Sequence, residues 1–188
     1  MNEIIRIHQK LSGSRANGPG NRAVIWVQGC TLNCPGCFNP QTHEKSGGTL
    51  RTIEELFIWI CSLGDSIEGI TISGGEPLQQ AKPILSLLQR IKNETHLSTF
   101  LFSGYTKSEI ETFLFWQELS MCVDILLCGR YDETLKLDHG IVSSSNQEAL
   151  FLTNRYSLDD LNQIPDNEII ILPNGEIITS GVGGISLE

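Results

Sequence analysis

The sequence predicts an α/β protein, an incomplete parallel (β/α) barrel or open parallel sheet in a single domain spanning residues 1–188. Three observations carry this. Short β-branched apolar runs alternate with stretches whose apolar residues recur at helical spacing, which is the pattern of βαβ units. Most of the apolar runs stop at glycine. And 188 residues are too few for the eight units of a closed barrel.

Taken in order, Ala23–Val27 reads as the first strand, ending at Gly29. Arg51–Leu63 follows as a helix, with Thr52 and Glu55 spaced for a capping box. Ile67–Ser73 is a second strand that stops at Gly74-Gly75, and Gln79–Ile91 a second helix with Pro83 near its first turn. Leu97–Phe102 is a third strand ending at Ser103-Gly104. Lys107–Leu119 is a third helix capped by Thr106 or Ser108, and Val123–Cys128 a fourth strand. From Tyr131 to Ser145 the chain reads as loop. Glu168–Leu172 and Glu176–Thr179 flank Pro173-Asn174-Gly175, a hairpin signal expected to close or extend the sheet edge without contributing chemistry.

Thirteen basic residues against 22 acidic ones give a formal net charge of −9. Such a chain is poorly suited to a phosphate backbone, so no nucleic-acid partner is expected. No apolar run approaches the length of a membrane helix, and no basic segment followed by an apolar one marks a leader. The expected location is the cytoplasm, where thiols stay reduced, so the six cysteines read as metal or redox chemistry before disulfides.

Three of the six, Cys30, Cys34 and Cys37, lie in one loop directly after the first predicted strand. In parallel α/β folds the loops at the carboxyl ends of strands build the site. Structural clusters and structural zinc sites normally take four protein ligands. Two readings fit the spacing: a cluster with one iron left for an exogenous ligand, or a Cys₃His zinc site completed by His43. Cys61, Cys122 and Cys128 sit in apolar surroundings and read as core residues. His8, His96 and His139 have no evident partner in the sequence. The exit of the second strand, Ser73-Gly74-Gly75-Glu76-Pro77, favours the cluster: two glycines let backbone groups approach a bound molecule closely.

With these residues in hand, the chain resembles the radical S-adenosylmethionine (SAM) superfamily, whose hallmark spacing matches Cys30-x₃-Cys34-x₂-Cys37 and whose Gly-Gly-Glu-Pro motif matches Gly74-Gly75-Glu76-Pro77. Gly36, where most members carry an aromatic residue, shifts the resemblance towards the activating proteins of anaerobic ribonucleoside-triphosphate reductase. Asn17-Gly18-Pro19-Gly20-Asn21-Arg22, Ser103-Gly104-Tyr105 and Ser144-Ser145-Asn146-Gln147 resemble segments of the same group. The resemblance places a cluster and SAM core at about 13–147, and the chain departs from the group at Cys128-Gly129, at Ile141-Val142-Ser143 and in a C-terminal hairpin extension at about 148–188. The resemblance implies a [4Fe–4S] cluster on Cys30, Cys34 and Cys37, and SAM on the fourth iron. Gly36, Cys37, Phe38, Gly74, Gly75, Glu76 and Pro77 would surround SAM. It further implies reductive cleavage of SAM to a 5′-deoxyadenosyl radical, with electrons from reduced flavodoxin or ferredoxin. The partner implied is a glycyl-radical enzyme such as the anaerobic ribonucleotide reductase large subunit; a stand-alone enzyme acting on a small molecule or peptide is the alternative.

Overall fold

A computed structural model describes residues 3–171 and 175–181. Seven strands form one sheet, in the order β3-β1-β2-β4-β5-β6-β7. They are β1 (Ile4–Ser14), β2 (Arg22–Val27), β3 (Thr49–Thr52), β4 (Gly69–Gly74), β5 (Ser98–Ser103), β6 (Ile125–Cys128) and β7 (Glu148–Phe151). The middle four, β2, β4, β5 and β6, run parallel. Antiparallel β1, β3 and β7 flank them.

The sequence reading anticipated the parallel strands and missed the antiparallel ones. β1 escapes it because Arg6, His8, Gln9 and Lys10 dilute the apolar pattern. β3 is exposed along most of its length, so it shows no apolar alternation at all. β7 is only half-buried and lies beyond the stretch that read as loop.

The first helix is shorter than predicted, the second is shifted towards the C-terminus and the third is broken. α1 (Ile53–Ser62) begins at the expected capping box: Thr52 Oγ1 accepts from Glu55 N, and the Glu55 carboxylate accepts from Thr52 N. α2 (Ala81–Glu94) follows a 3₁₀ turn at Pro77–Gln80, which leaves Pro83 in its first turn. The single helix expected over Lys107–Leu119 is two, α3 (Lys107–Ile110) and α4 (Trp116–Cys122). The chain between them turns through i→i+3 bonds such as Phe113 N to Ile110 O. A last short helix, α5, spans Leu158–Asn162.

Strand alternation sends each parallel strand's residues to two different layers. Ile25, Val27, Ile70, Ile72, Leu101 and Leu126 pack with Leu56, Ile60, Ile84, Leu88 and Ile91 of the helices. The opposite face carries Phe100, Ile125 and Leu127, which pack with Ile141, Leu161 and Ile164. Above them on that face, Trp26, Ser73 and Phe102 line a cavity.

β8 (Asn167–Ile171) and β9 (Ile177–Gly181) pair antiparallel in a separate two-stranded sheet. They do not extend the edge of the large sheet, contrary to the sequence reading. Leu172, Pro173 and Asn174, on which the turn prediction fell, lie outside the described residues. No described helix is long and apolar enough to cross a membrane.

Candidate cluster and SAM site

The cysteine loop leaves β2 through Gln28 and Gly29. Gly29 N donates to Thr42 O at 2.7 Å and Cys30 N to His43 O at 3.0 Å, so the returning segment 39–44 braces the loop. Within it, Leu32 N donates to the Cys30 sulfur at 3.5 Å and Cys37 N to Cys34 O at 3.3 Å. Asn33 has φ +50°, the one described non-glycine residue with positive φ, and Asn tolerates that region. Gly36 has φ +68°, and a Cβ there would stand 2.5 Å from the Glu133 carboxylate. The Glu133 side chain can swing aside, but the positive φ strains any residue with a side chain, which gives the glycine a physical reason.

Cys30, Cys34 and Cys37 all line one cavity of about 430 Å³. Its wall continues through Phe38, His43, Gly74, Gly75, Glu76 and Ser103. Burial pushes all three thiols above the ordinary cysteine value. Iron coordination removes those protons, so ligand formation and deprotonation are coupled. Among the described residues no group of three His, Cys, Asp or Glu side chains is placed to hold a single metal ion. The donor set, three thiols on one cavity, is of the kind that would hold a four-iron cluster.

Gly74 has φ +101°, and a Cβ on Gly75 would stand 2.4 Å from Gly29 O. These glycines let the two strand ends close up, with Gly75 N bonded to Val27 O and Glu76 N to Gly29 O, both at 2.9 Å. The Glu76 side chain turns inward and is almost fully buried. Its carboxylate accepts from Leu78 N at 2.9 Å, Ser103 Oγ at 2.9 Å and Gly104 N at 2.7 Å. Glu76 thus ties the β4 exit to the Ser103-Gly104-Tyr105 turn, and Pro77 starts the 3₁₀ turn behind it. Burial raises the Glu76 carboxyl to about 7 against the pull of its three donors. A carboxyl raised in the folded state gives stability that is full below about 4.5 and lost as pH rises through about 7. Thermal melts are expected to show wild type losing ~3 kcal/mol relative to Glu76→Gln over that window; a pH-independent difference would refute it.

The segment after β6 lines the same cavity through Gly129 and Tyr131. Tyr131 packs on Phe38 with ring centroids 4.7 Å apart. Gln147 holds this segment: its Oε1 accepts from Ser143 N, Ser143 Oγ and Ser144 N, and its Nε2 donates to Gly129 O. Arg130 forms two bonds with Glu109, at 2.7 and 2.9 Å, which hold that carboxyl down at about 2.

Sequence reasoning missed four features. His8 has a partner, Gln28, and lines the cavity. His139 meets Asp166 at 2.8 Å. Cys61 is exposed, while Cys122 and Cys128 are buried as expected. The C-terminal strand pair belongs to the site, because Ile178, Thr179, Ser180 and Gly181 line the same cavity as the cysteines. Glu168 latches it to the β1–β2 loop, accepting from Ser14 Oγ, Arg15 N and Ala16 N, and Asn17 Nδ2 donates to Ser180 Oγ at 2.6 Å. Isoleucines spaced around Asn-Gly announce a hairpin but not where it docks. Glu168→Ala is expected to speed proteolytic cleavage within 167–181 several-fold while shifting the melting temperature little; unchanged cleavage would refute the latch.

A sheet of parallel strands bearing three thiols and a Gly-Gly turn at one end describes a radical SAM iron–sulfur protein. Residues 16–150 match the family described as a 4Fe-4S single cluster domain. The anaerobic ribonucleoside-triphosphate reductase-activating protein of Salmonella typhi is 33% identical over 151 residues, covering 76% of this chain and 96% of its own. That of Enterobacteria phage T4 is 31% identical over 137 residues, covering 70% and 84%. The pyruvate formate-lyase-activating enzyme of Clostridium pasteurianum is 34% identical over 113 residues, covering 58% of this chain and 48% of its own. The chain belongs to the anaerobic ribonucleoside-triphosphate reductase-activating protein family. It is accordingly an enzyme whose cofactors are a [4Fe–4S] cluster and SAM.

Proposed function

We propose that this protein installs a glycyl radical on a partner enzyme, most directly an anaerobic ribonucleoside-triphosphate reductase, in the cytoplasm. When bound, the cluster and SAM together supply a 5′-deoxyadenosyl radical by reductive cleavage, with reduced flavodoxin or ferredoxin as donor. Cys30, Cys34 and Cys37 hold three irons, and the backbone of Gly74 and Gly75 receives the amino-acid end of SAM. Glu76 fixes that turn from behind. Gly36, Cys37 and Phe38 close one side, with Tyr131 against Phe38. The chain acts as one domain, a partial barrel whose concave face admits a loop of the partner.

The observation that carries this reading is the convergence of three thiols, and no fourth, with a Gly-Gly strand exit on one cavity. Anaerobic reconstitution is expected to give about four irons per chain. Reduction with SAM then yields 5′-deoxyadenosine, and adding the reductase yields its protein radical by electron paramagnetic resonance. Stoichiometric zinc without iron would sink the reading. One observation favours a second substrate class: the cavity wall at 178–181 lies outside the family-matched residues. Turnover of a small molecule or peptide, with no radical on any glycyl-radical enzyme, would establish that alternative.

A further inference from the structure

His8 sits in β1 at an irregularity of register, between Ile7 opposite Val27 and Gln9 opposite Trp26. Its ring is half-buried and lines the cavity beside Gln9 and His43. Nδ1 lies 2.9 Å from Gln28 Oε1. The orientation of that amide is fixed from its other end, because Gln28 Nε2 donates to Gln41 O at 3.1 Å and Glu44 O at 2.8 Å. Flipping the amide would set an oxygen against two carbonyls. Oε1 therefore faces His8, and Nδ1 must carry the proton. In the neutral ring this leaves Nε2 as an unprotonated acceptor, for which the described residues supply no bonding partner.

We infer that His8 Nε2 accepts a backbone N–H of an extended polypeptide bound along β1. Two placements select that ligand. First, β3 pairs with β1 only from Ile4 to Ile7, so among the described residues the outer edge from His8 to Ser14 meets no strand. A free edge next to a cavity takes an added strand, with main-chain hydrogen bonds as the recognition element. Second, β2 separates His8 from the Gly74-Gly75 turn of β4, two strand spacings or roughly 10 Å away. The two halves of the cavity thus suit two occupants. The inference rests on the proposed function, since it assigns His8 to the glycine-bearing segment of the protein substrate.

The test has two arms. In the reconstituted protein, ¹⁵N spectra of labelled histidine are expected to show His8 protonated at Nδ1, and Gln28→Leu to abolish that preference. In the activation assay, His8→Ala is expected to raise KM for the reductase roughly tenfold, the weight of one well-placed hydrogen bond, well beyond any change in SAM affinity. His8→Gln, which carries an oxygen near the Nε2 position, is expected to restore most of it. The opposite tautomer, an unchanged KM, or a loss that appears instead in SAM affinity or iron content would each overturn the inference. Failure of the functional reading is distinct, since wild type would then raise no protein radical while the tautomer is still decided by the spectrum.

Discussion

Cys34→Ala is expected to abolish both iron retention and 5′-deoxyadenosine formation. No other thiol is placed to replace it. Cys61 is exposed on α1, whereas Cys122 and Cys128 are buried, and Cys128 packs in the layer of the sheet that faces the helices. Burial raises the Cys128 thiol to about 11, and its sulfur rests 3.5 Å from Glu148 O. Cys128→Ala is therefore the matching control and is expected to retain about four irons per chain. Iron measured after anaerobic reconstitution and desalting checks both. Normal iron in Cys34→Ala, or its loss in Cys128→Ala, would place the cluster elsewhere.

The second large effect is on folding. Arg22 is completely buried and has no described carboxylate in salt-bridge contact. Its guanidinium instead makes five hydrogen bonds: to Thr71 Oγ1, Pro19 O, Ser98 Oγ, Ile70 O and Ser98 O. Burial lowers its value to about 10, so it stays cationic near neutrality. The Asn17-Gly18-Pro19-Gly20 loop wraps this side chain closely; a Cβ on Gly18 would stand 2.7 Å from Arg22 Cδ. Arg22→Leu removes all five bonds at once, taking a donor from three carbonyls, while the Thr71 and Ser98 hydroxyls keep only their bonds to Asn17 O, Glu68 O and Tyr156. The expected cost is about 3–5 kcal/mol, and a melting temperature lower by on the order of 10 °C. Exposed Arg15→Leu should shift it by little. Equal melts for the two variants would show that the buried network contributes nothing to stability.

Arg22 also shows what the sequence could and could not convey. The Asn-Gly-Pro-Gly-x-Arg segment stands out as a motif upstream of the cluster loop, yet nothing local says which groups its Arg meets. Its Arg joins three parallel strands at the end away from the cysteines, because β2 begins at Arg22 and ends next to the loop. The parallel strands and the cysteine loop were legible because both are written locally, in β-branched runs, glycines and close spacing. The antiparallel flanks were not, since exposed strands such as β3 need no apolar face. Gln28 and Gln80 were equally invisible, and Gln147 stood out only as part of the Ser-Ser-Asn-Gln segment, without its partners. Gln80, for example, accepts from Arg6 N and donates to Arg6 O and Gln28 O, joining segments 74 and 52 positions apart. An amide side chain carries no local signature of the distant backbone it will meet.

The latched strand pair has a consequence for the fate of a reactive carbon radical. Water gives up a hydrogen atom reluctantly, but thiols and many buffer molecules dissolved in it do so readily. A chain ending at residue 166 would keep the cysteine loop, the seven-stranded sheet and α5, while the cavity wall formed by Ile178–Gly181 would be gone. Under the proposed function, small hydrogen donors would then enter through that gap and compete with the intended glycine. Under the proposed function, closing that side would protect the radical as well as shape the space it acts in. Much of the yield per SAM consumed would be decided by residues that lie beyond the family-matched part of the chain.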